Sequence, residues 1–225
     1  MATIARIESQ PDLTEQVHQR LLTAICDGEL PPGARLTQEE LAASLHVSRQ
    51  PVLQALRLLK KDGLVVDAGR RGLMVSPLDS ARIAQVYQVR AVLDGLAARQ
   101  ASEAGAQLDD RIIAEGRRAA SGKHIGPMIE ADLAFHRAIY AASGNPFIAE
   151  TADLHWRHIR RAMGSVLQAV GVRKTVWDEH EAILRAINVC DAPRAERLAR
   201  EHGEEAGRTL AANLTRHVRQ AATID

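Results

Sequence analysis

Helical periodicity without any strand-like alternation runs from about residue 79 to residue 215, and it limits the possible folds more than any other feature of the chain. Apolar residues recur there at intervals of three and four, which is the spacing of amphipathic helices. Glycine and proline interrupt the pattern and predict six helices, at about 79–104, 108–120, 127–143, 146–168, 173–190 and 192–215. Such helices bury their apolar faces only against one another, so residues 79–216 are predicted to form an all-helical bundle.

Four polar side chains occupy apolar positions of this pattern. Asp132 and His136 stand one turn apart on the stripe 129, 132, 136, 139 and 143, while His180 and His202 each replace an apolar residue in the last two predicted helices. Burying a carboxylate and three imidazoles is costly unless they find partners. One divalent cation would satisfy all four, and this mixture of ligands suits Zn, Ni, Mn or Fe. The alternative is four unrelated core residues, each with its own hydrogen bond.

The first 77 residues follow a different plan. A helical pattern over 13–26 ends in turn residues, a capping box at Thr37 opens a short helix that ends near Leu45, and Ser48 caps a third helix over 49–61. Two strand-like segments then follow, 64–66 and 73–75, with a glycine-flanked tip between them. Two short helices joined by a tight turn and followed by a hairpin predict a winged helix-turn-helix over residues 10–77. The whole chain is therefore predicted to be mainly α.

Basic and polar residues lie where such a unit touches DNA. Ser48, Arg49 and Gln50 begin the third helix, whose N-terminal end enters the major groove in helix-turn-helix proteins. Arg70 and Arg71 occupy the hairpin tip, where they could enter the adjacent minor groove. The alternative interpretation is a capped surface helix followed by a solvated basic hairpin.

The overall composition is that of a soluble globular protein, with 46% hydrophobic and 25% charged residues. The net charge is +1, so bulk charge neither supports nor opposes nucleic-acid binding. Cys26 and Cys190 form no disulfide framework and are predicted to be reduced, buried thiols of a cytosolic protein. We expect a cytoplasmic protein without a membrane span, because no apolar run reaches roughly 18 residues and the N-terminal stretch has no signal-peptide core.

The segment LTQEELAASLHVSRQPVLQALRLLKKDGLV strongly resembles the N-terminal domain of GntR-family transcription regulators, and the resemblance extends over about residues 10–77. It implies a DNA-binding winged helix. Leu53 stands where the family often has arginine, and Glu39 stands where some members have it, so base recognition is expected to depend on Arg49, Gln50 and the hairpin tip.

The motifs D-x-x-F-H, S-G-N, E-H-x-x-I-L-x-A-I and D-x-x-x-A-x-x-L-x-x-x-H resemble the helical effector domain of FadR-type GntR regulators, the FCD domain. The resemblance covers about residues 80–215. In the metal-binding branch an Asp and three His hold a divalent ion, and the matching positions here are Asp132, His136, His180 and His202.

The same resemblance implies a small carboxylate effector assisted by an arginine on the first bundle helix, which matches Arg90. Asp94 replaces the usual glutamate four residues later, and a surface salt bridge between the two is the alternative role for Arg90. Asn145, and more weakly Arg160 and Arg161, are further candidates for the effector pocket.

These observations predict a ligand-responsive transcriptional regulator, expected to act as a repressor. A homodimer is expected to bind a palindromic operator in double-stranded DNA, with a small organic acid as effector and Zn, Ni or Mn as cofactor. Two rivals stay open: a metal-dependent hydrolytic enzyme, and a metal sensor in which the ion itself is the signal. Against the enzyme, no acid or base motif accompanies the predicted ligands, and an attached DNA-binding domain would be unexplained.

Overall fold

The computed structural model describes residues 13–69, 72–170 and 175–221, and within these ranges the chain is predominantly helical. It divides into two compact units between Pro77 and Leu78. Among the described residues, no helix combines the length and the apolarity needed to cross a bilayer.

The N-terminal unit is a three-helix domain with a small antiparallel sheet. Its elements are α1 (Leu13–Cys26), β1 (Arg35–Leu36), α2 (Gln38–Leu45), α3 (Arg49–Lys61), β2 (Val65–Asp67) and β3 (Leu73–Val75). The sheet has the order β1-β3-β2, with Met74 of β3 opposite both Arg35 and Val66. The helix-turn-helix and the hairpin are as predicted, but β1 is an addition, because two residues are too few to show a period.

Local capping explains where the two short helices begin and end. The Thr37 hydroxyl accepts a hydrogen bond from the Glu40 backbone N–H at 3.3 Å, and it donates to the Glu40 carboxylate at 2.6 Å. His46 ends α2 in the left-handed conformation, with φ of 53°. Ser48 takes the N-cap position of α3 as predicted, but its side chain makes no capping hydrogen bond. The hydroxyl of Ser48 is therefore not committed to the helix.

The C-terminal unit is a bundle of six long helices. They are α4 (Ser80–Glu103), α5 (Arg111–Ala120), α6 (Ile125–Ala142), α7 (Pro146–Val170), α8 (Val176–Asn188) and α9 (Ala192–Ala221). The predicted all-helical bundle is confirmed, and most boundaries agree to within three residues. The largest difference is at the C-terminus, where α9 continues about six residues past the predicted end.

Glycines bring α4 and α9 unusually close together. A Cβ atom added at Gly203 would lie 3.0 Å from the Ala91 Cα, and one added at Gly207 would lie 2.5 Å from the Tyr87 Cβ. These pairings run in opposite directions along the two helices, so α4 and α9 are antiparallel. Their close approach places the face of α4 that carries Arg90 beside the middle of α9.

The environment of one cysteine differs from the prediction. Cys190 is exposed rather than buried, because α8 ends at Asn188 and Cys190 follows it in a left-handed turn with φ of 58°. Its exposure depends on where the helix ends, and a periodic pattern does not locate that residue well.

Gly116 of α5 lies directly beneath the indole ring of Trp177, a buried residue of α8. We predict that Gly116→Ala destabilises the C-terminal unit by about 1–3 kcal/mol, because a methyl group would overlap the ring and force repacking. That cost exceeds the gain of about 1 kcal/mol in helix propensity. Chemical denaturation followed by tryptophan fluorescence isolates this unit, since both tryptophans of the chain lie in it.

Gly126→Ala is the matched control, because a Cβ there meets no atom within 4 Å. It should leave the unfolding midpoint unchanged or raise it. Equal midpoints for the two variants would mean that the contact between Gly116 and Trp177 does not constrain the bundle.

Candidate metal centre and nucleic-acid interface

Three histidines from three helices meet in the centre of the bundle. His136 of α6, His180 of α8 and His202 of α9 are all buried, and one possible ligand atom from each lies within 4.8 Å of the others. The Nε2 atoms of His180 and His202 are 3.1 Å apart. The fold therefore assembles three of the four predicted ligands at one point.

Asp132 reaches the same point from one turn before His136. Its Oδ1 lies 3.6 Å from the Nε2 of His180, and its side chain is 14% exposed. It stands at the edge of the histidine cluster rather than inside it. All four residues singled out by their apolar register thus share one site.

Two carboxylates face the Nδ1 atoms of two of these imidazole rings. Glu179 lies 2.8 Å from the Nδ1 of His202, and Asp94 lies 3.6 Å from the Nδ1 of His136. A carboxylate that accepts from Nδ1–H fixes the ring orientation and leaves Nε2 as the donor to an ion. Sequence periodicity gave no signal for Glu179, because its partner lies on another helix.

The residues present fit a divalent transition metal. The Nε2 of His136 is buried and has no hydrogen-bond partner among the residues that the structure describes, which is costly unless an ion uses its lone pair. Burial, and then the charge of Arg90, hold the pKa of His136 below its ordinary value, so the ring is in the neutral form that binds metals. Three imidazoles and one carboxylate are donors that Zn, Ni and Mn accept.

Arg90 of α4 is buried next to this centre. Its Nε lies 3.3 Å from Asp94, and its guanidinium sits 4.1 Å above the centroid of the Trp156 ring. The ion pair with Asp94 exists, but it is buried rather than on the surface. Burial disfavours ionisation of Asp94, yet the positive charge of Arg90, followed by the interactions with His136 and Tyr140, outweighs it and lowers the pKa of Asp94 to about 2. The Tyr140 hydroxyl also donates to Asp94, so the carboxylate links the arginine to a candidate metal ligand.

A cavity of about 420 Å³ adjoins the histidine cluster. Arg90, Asp132 and His202 all reach it, so the polar centre opens onto this space. Most of the remaining lining is apolar and comes from α5 to α9. These other lining residues are Tyr87, Ala120, Met128, Met163, Val166, Leu167, Val176, Trp177, Ala206, Thr209, Leu210, Asn213 and Arg216.

The three remaining pocket candidates are not among the residues that line this cavity. The Asn145 side-chain oxygen accepts from the Phe147 backbone N–H at 3.1 Å, which caps the start of α7. Arg160 pairs with Glu130 at 2.8 Å, and Arg161 is buried. Asn145 is thus occupied in helix capping, a role that the adjacent Pro146 already favours.

The predicted DNA-contacting residues lie at the start of α3. Ser48, Arg49 and Gln50 are all exposed, and Arg49 forms an ion pair of 2.8 Å with Glu39 of α2. Arg70 and Arg71 lie outside the described residues. The pairing with Glu39 was not foreseen, because it joins two helices across the turn.

Comparison with known families assigns both units. The FCD domain profile matches residues 85–205, which is more than half of the chain. The profile of bacterial regulatory proteins of the gntR family matches residues 13–75. The FCD match covers most of the bundle that contains the histidine cluster, and the gntR match covers the winged helix.

Individual relatives agree with these assignments. An uncharacterized HTH-type transcriptional regulator from an unstable DNA locus of Streptomyces ambofaciens is 31% identical over 196 residues, covering 85% of this chain and 80% of that protein. The Bacillus subtilis regulator YdhC is 27% identical over 192 residues, covering 83% and 76%.

Among solved structures, E. coli McbR/YncC has a TM-score of 0.73 at 22% identity over 91% of this chain and 98% of that one, which shows a common fold. The relatives are transcriptional regulators and not enzymes. Together the two domain matches and the extended identity to such regulators show that this chain belongs to the GntR family of bacterial regulatory proteins, in the group that carries an FCD domain.

Proposed function

We propose that this DNA-binding transcriptional regulator responds to a carboxylic acid held beside a divalent metal ion in its FCD domain. The observation that carries the proposal is the convergence of Asp132, His136, His180 and His202 next to a cavity that Arg90 also lines. These five residues lie on four different helices, α4, α6, α8 and α9. Their convergence is therefore a property of the bundle and not of any single helix.

The chemistry of the cavity favours an anionic effector. Arg90 contributes a buried positive charge at its edge, and a bound divalent ion would supply a second positive charge in the same place. A carboxylate entering from solvent would lose its hydration, and these charges would compensate for that loss. Asp132, His136, His180 and His202 would hold the ion, while Glu179 orients the His202 ring at hydrogen-bond distance and Asp94 faces the His136 ring.

The acid would act on DNA binding by changing the population of two arrangements of the regulator. That requires the acid to bind one arrangement more tightly than the other. We propose that the protein is a cytoplasmic homodimer and a repressor, since a pair of winged helices matches a palindromic operator. A hydrolytic role is set aside because the family consists of regulators.

The proposed metal centre leads to a testable prediction. His136→Ala should remove most of the bound metal and lower the melting temperature of the metal-loaded protein, because an ion that binds only the folded state stabilises it. Glu179→Gln should weaken metal affinity by about 10- to 100-fold while retaining the ligands. Elemental analysis after incubation with Zn, Ni or Mn, followed by competition with a chelator, measures both effects.

His124→Ala is the control, because His124 is an exposed residue just before α6 with no capping hydrogen bond. Its metal content should equal that of the wild type. A wild-type protein that stays metal-free with all three ions would refute the metal centre. If metal alone, without any acid, fully switched operator binding, the chain would be a metal sensor instead.

The proposed recognition of an operator leads to a further prediction. Arg49→Ala should lower the affinity for an operator selected from random duplexes by about 1–3 kcal/mol, the usual worth of a good base contact. The reason is that Arg49 is exposed at the N-terminus of α3 and its partner Glu39 is equally exposed, so the ion pair is weak enough to break. Titration of labelled operator measures the change.

Arg20→Ala is the matched control, because Arg20 of α1 is also exposed and also pairs with a glutamate, Glu29, at 2.8 Å. It removes the same charge from the same unit. Equal losses for Arg49→Ala and Arg20→Ala would show that only the overall charge matters, and that Arg49 reads no base.

A further inference from the structure

The cavity beside the histidine cluster extends along α9. The lining residues of this helix are His202, Ala206, Thr209, Leu210, Asn213 and Arg216, spaced so that they share one face. From the first to the last they cover about 21 Å of helix, at about 1.5 Å per residue. The cavity is therefore elongated, and His202 and Arg216 stand at its opposite ends.

The lining changes in character along this length. The His202 end carries Arg90 and Asp132 as well, so it is charged. The middle is apolar, with walls made by Met128, Met163, Val166, Leu167, Val176, Trp177 and Leu210. Covering such a surface with another apolar surface instead of water lowers the free energy of the system.

The far end is polar again. Asn213 and Arg216 line it, and the guanidinium of Arg216 donates to the Asn213 side-chain oxygen. Within the described part of the chain, Arg216 has no ion pair with a carboxylate. Its guanidinium is exposed and can donate further hydrogen bonds to an anionic or other acceptor group of a ligand.

The cavity is also too large for the smallest acids. Its volume is about 420 Å³, whereas a single water molecule takes up about 30 Å³ of the liquid. An acid of two or three carbons would fill only the charged end. The apolar walls would then stay in contact with water.

We infer that this cavity selects an elongated acid over acids of two or three carbons, with one carboxylate at the Arg90 end and an apolar body along α9. A second carboxylate at the other end of the ligand would meet Arg216. The inference rests on the proposed acid-responsive function and adds the length, the apolarity and the two-ended polarity of the effector.

Chain length is the direct test. Full-length, zinc-loaded protein is titrated by calorimetry with straight-chain monocarboxylates from acetate to decanoate, and with the dicarboxylates malonate, adipate, suberate and sebacate. Affinity should rise up to about fourfold per methylene, the factor that corresponds to about 0.8 kcal/mol per buried CH₂. It should stop rising when the cavity is full. Affinity that is flat or falls beyond three carbons would overturn the inference.

Variants along α9 locate the ligand. Ala206→Leu narrows the apolar section next to the centre and should weaken octanoate binding at least tenfold, with acetate and zinc binding unchanged. Ala212→Leu is the control, because Ala212 is exposed and does not line the cavity. Arg216→Ala should weaken sebacate binding severalfold but leave decanoate unaffected. Equal effects on the two acids would mean that Arg216 meets no second carboxylate.

The outcomes separate the inference from the function on which it rests. If zinc and acetate bind but length gives no gain, the elongated effector is wrong and the acid-responsive site stands. If the wild-type protein binds neither zinc nor any acid of the series, the proposed function itself fails. Normal melting temperatures of Ala206→Leu and Arg216→Ala exclude misfolding as the cause of a loss.

Discussion

The buried contact between Arg90 and Asp94 is the interaction on which the centre of the bundle depends. A lone arginine or carboxylate at that depth would be very costly, and here each compensates for the other. Asp94 also accepts from Tyr140 and faces His136, so one carboxylate connects the cavity arginine with a candidate metal ligand. A change at either end of this network alters the electrostatic field at the other.

The packing of α4 against α9 makes that network possible. Gly203 and Gly207 let the two backbones approach, and side chains at these positions would push Arg90 away from His202. The same face of α9 then continues past the centre as one side of the elongated cavity. Arg90, the candidate ligand His202 and the α9 side of the cavity therefore lie on adjacent stretches of these two helices, while α6 and α8 supply the other candidate ligands.

The N-terminal unit contains a weaker ion pair, between two exposed side chains of its helix-turn-helix. Arg49 and Glu39 pair across the turn of the helix-turn-helix, and both are exposed. An exposed pair contributes little to stability, so it holds the arginine in an extended position without preventing an exchange of partners. The negative charge of Glu39 also offsets the positive charge of Arg49 on this surface.

Local rules were enough to predict the helices, the winged helix-turn-helix and the four polar residues that cluster. These rules are periodicity, capping and the replacement of an apolar residue by Asp132 or a histidine. The partners of the polar residues emerge only from the folded chain: Glu179 behind His202, Glu39 beside Arg49, and the path of the cavity to Arg216. The same is true of Asn145, which caps α7 and does not line the cavity. Such contacts depend on the relative rotation and spacing of the helices, and no pattern within a single helix records either; between α4 and α9, for example, glycine packing sets the spacing.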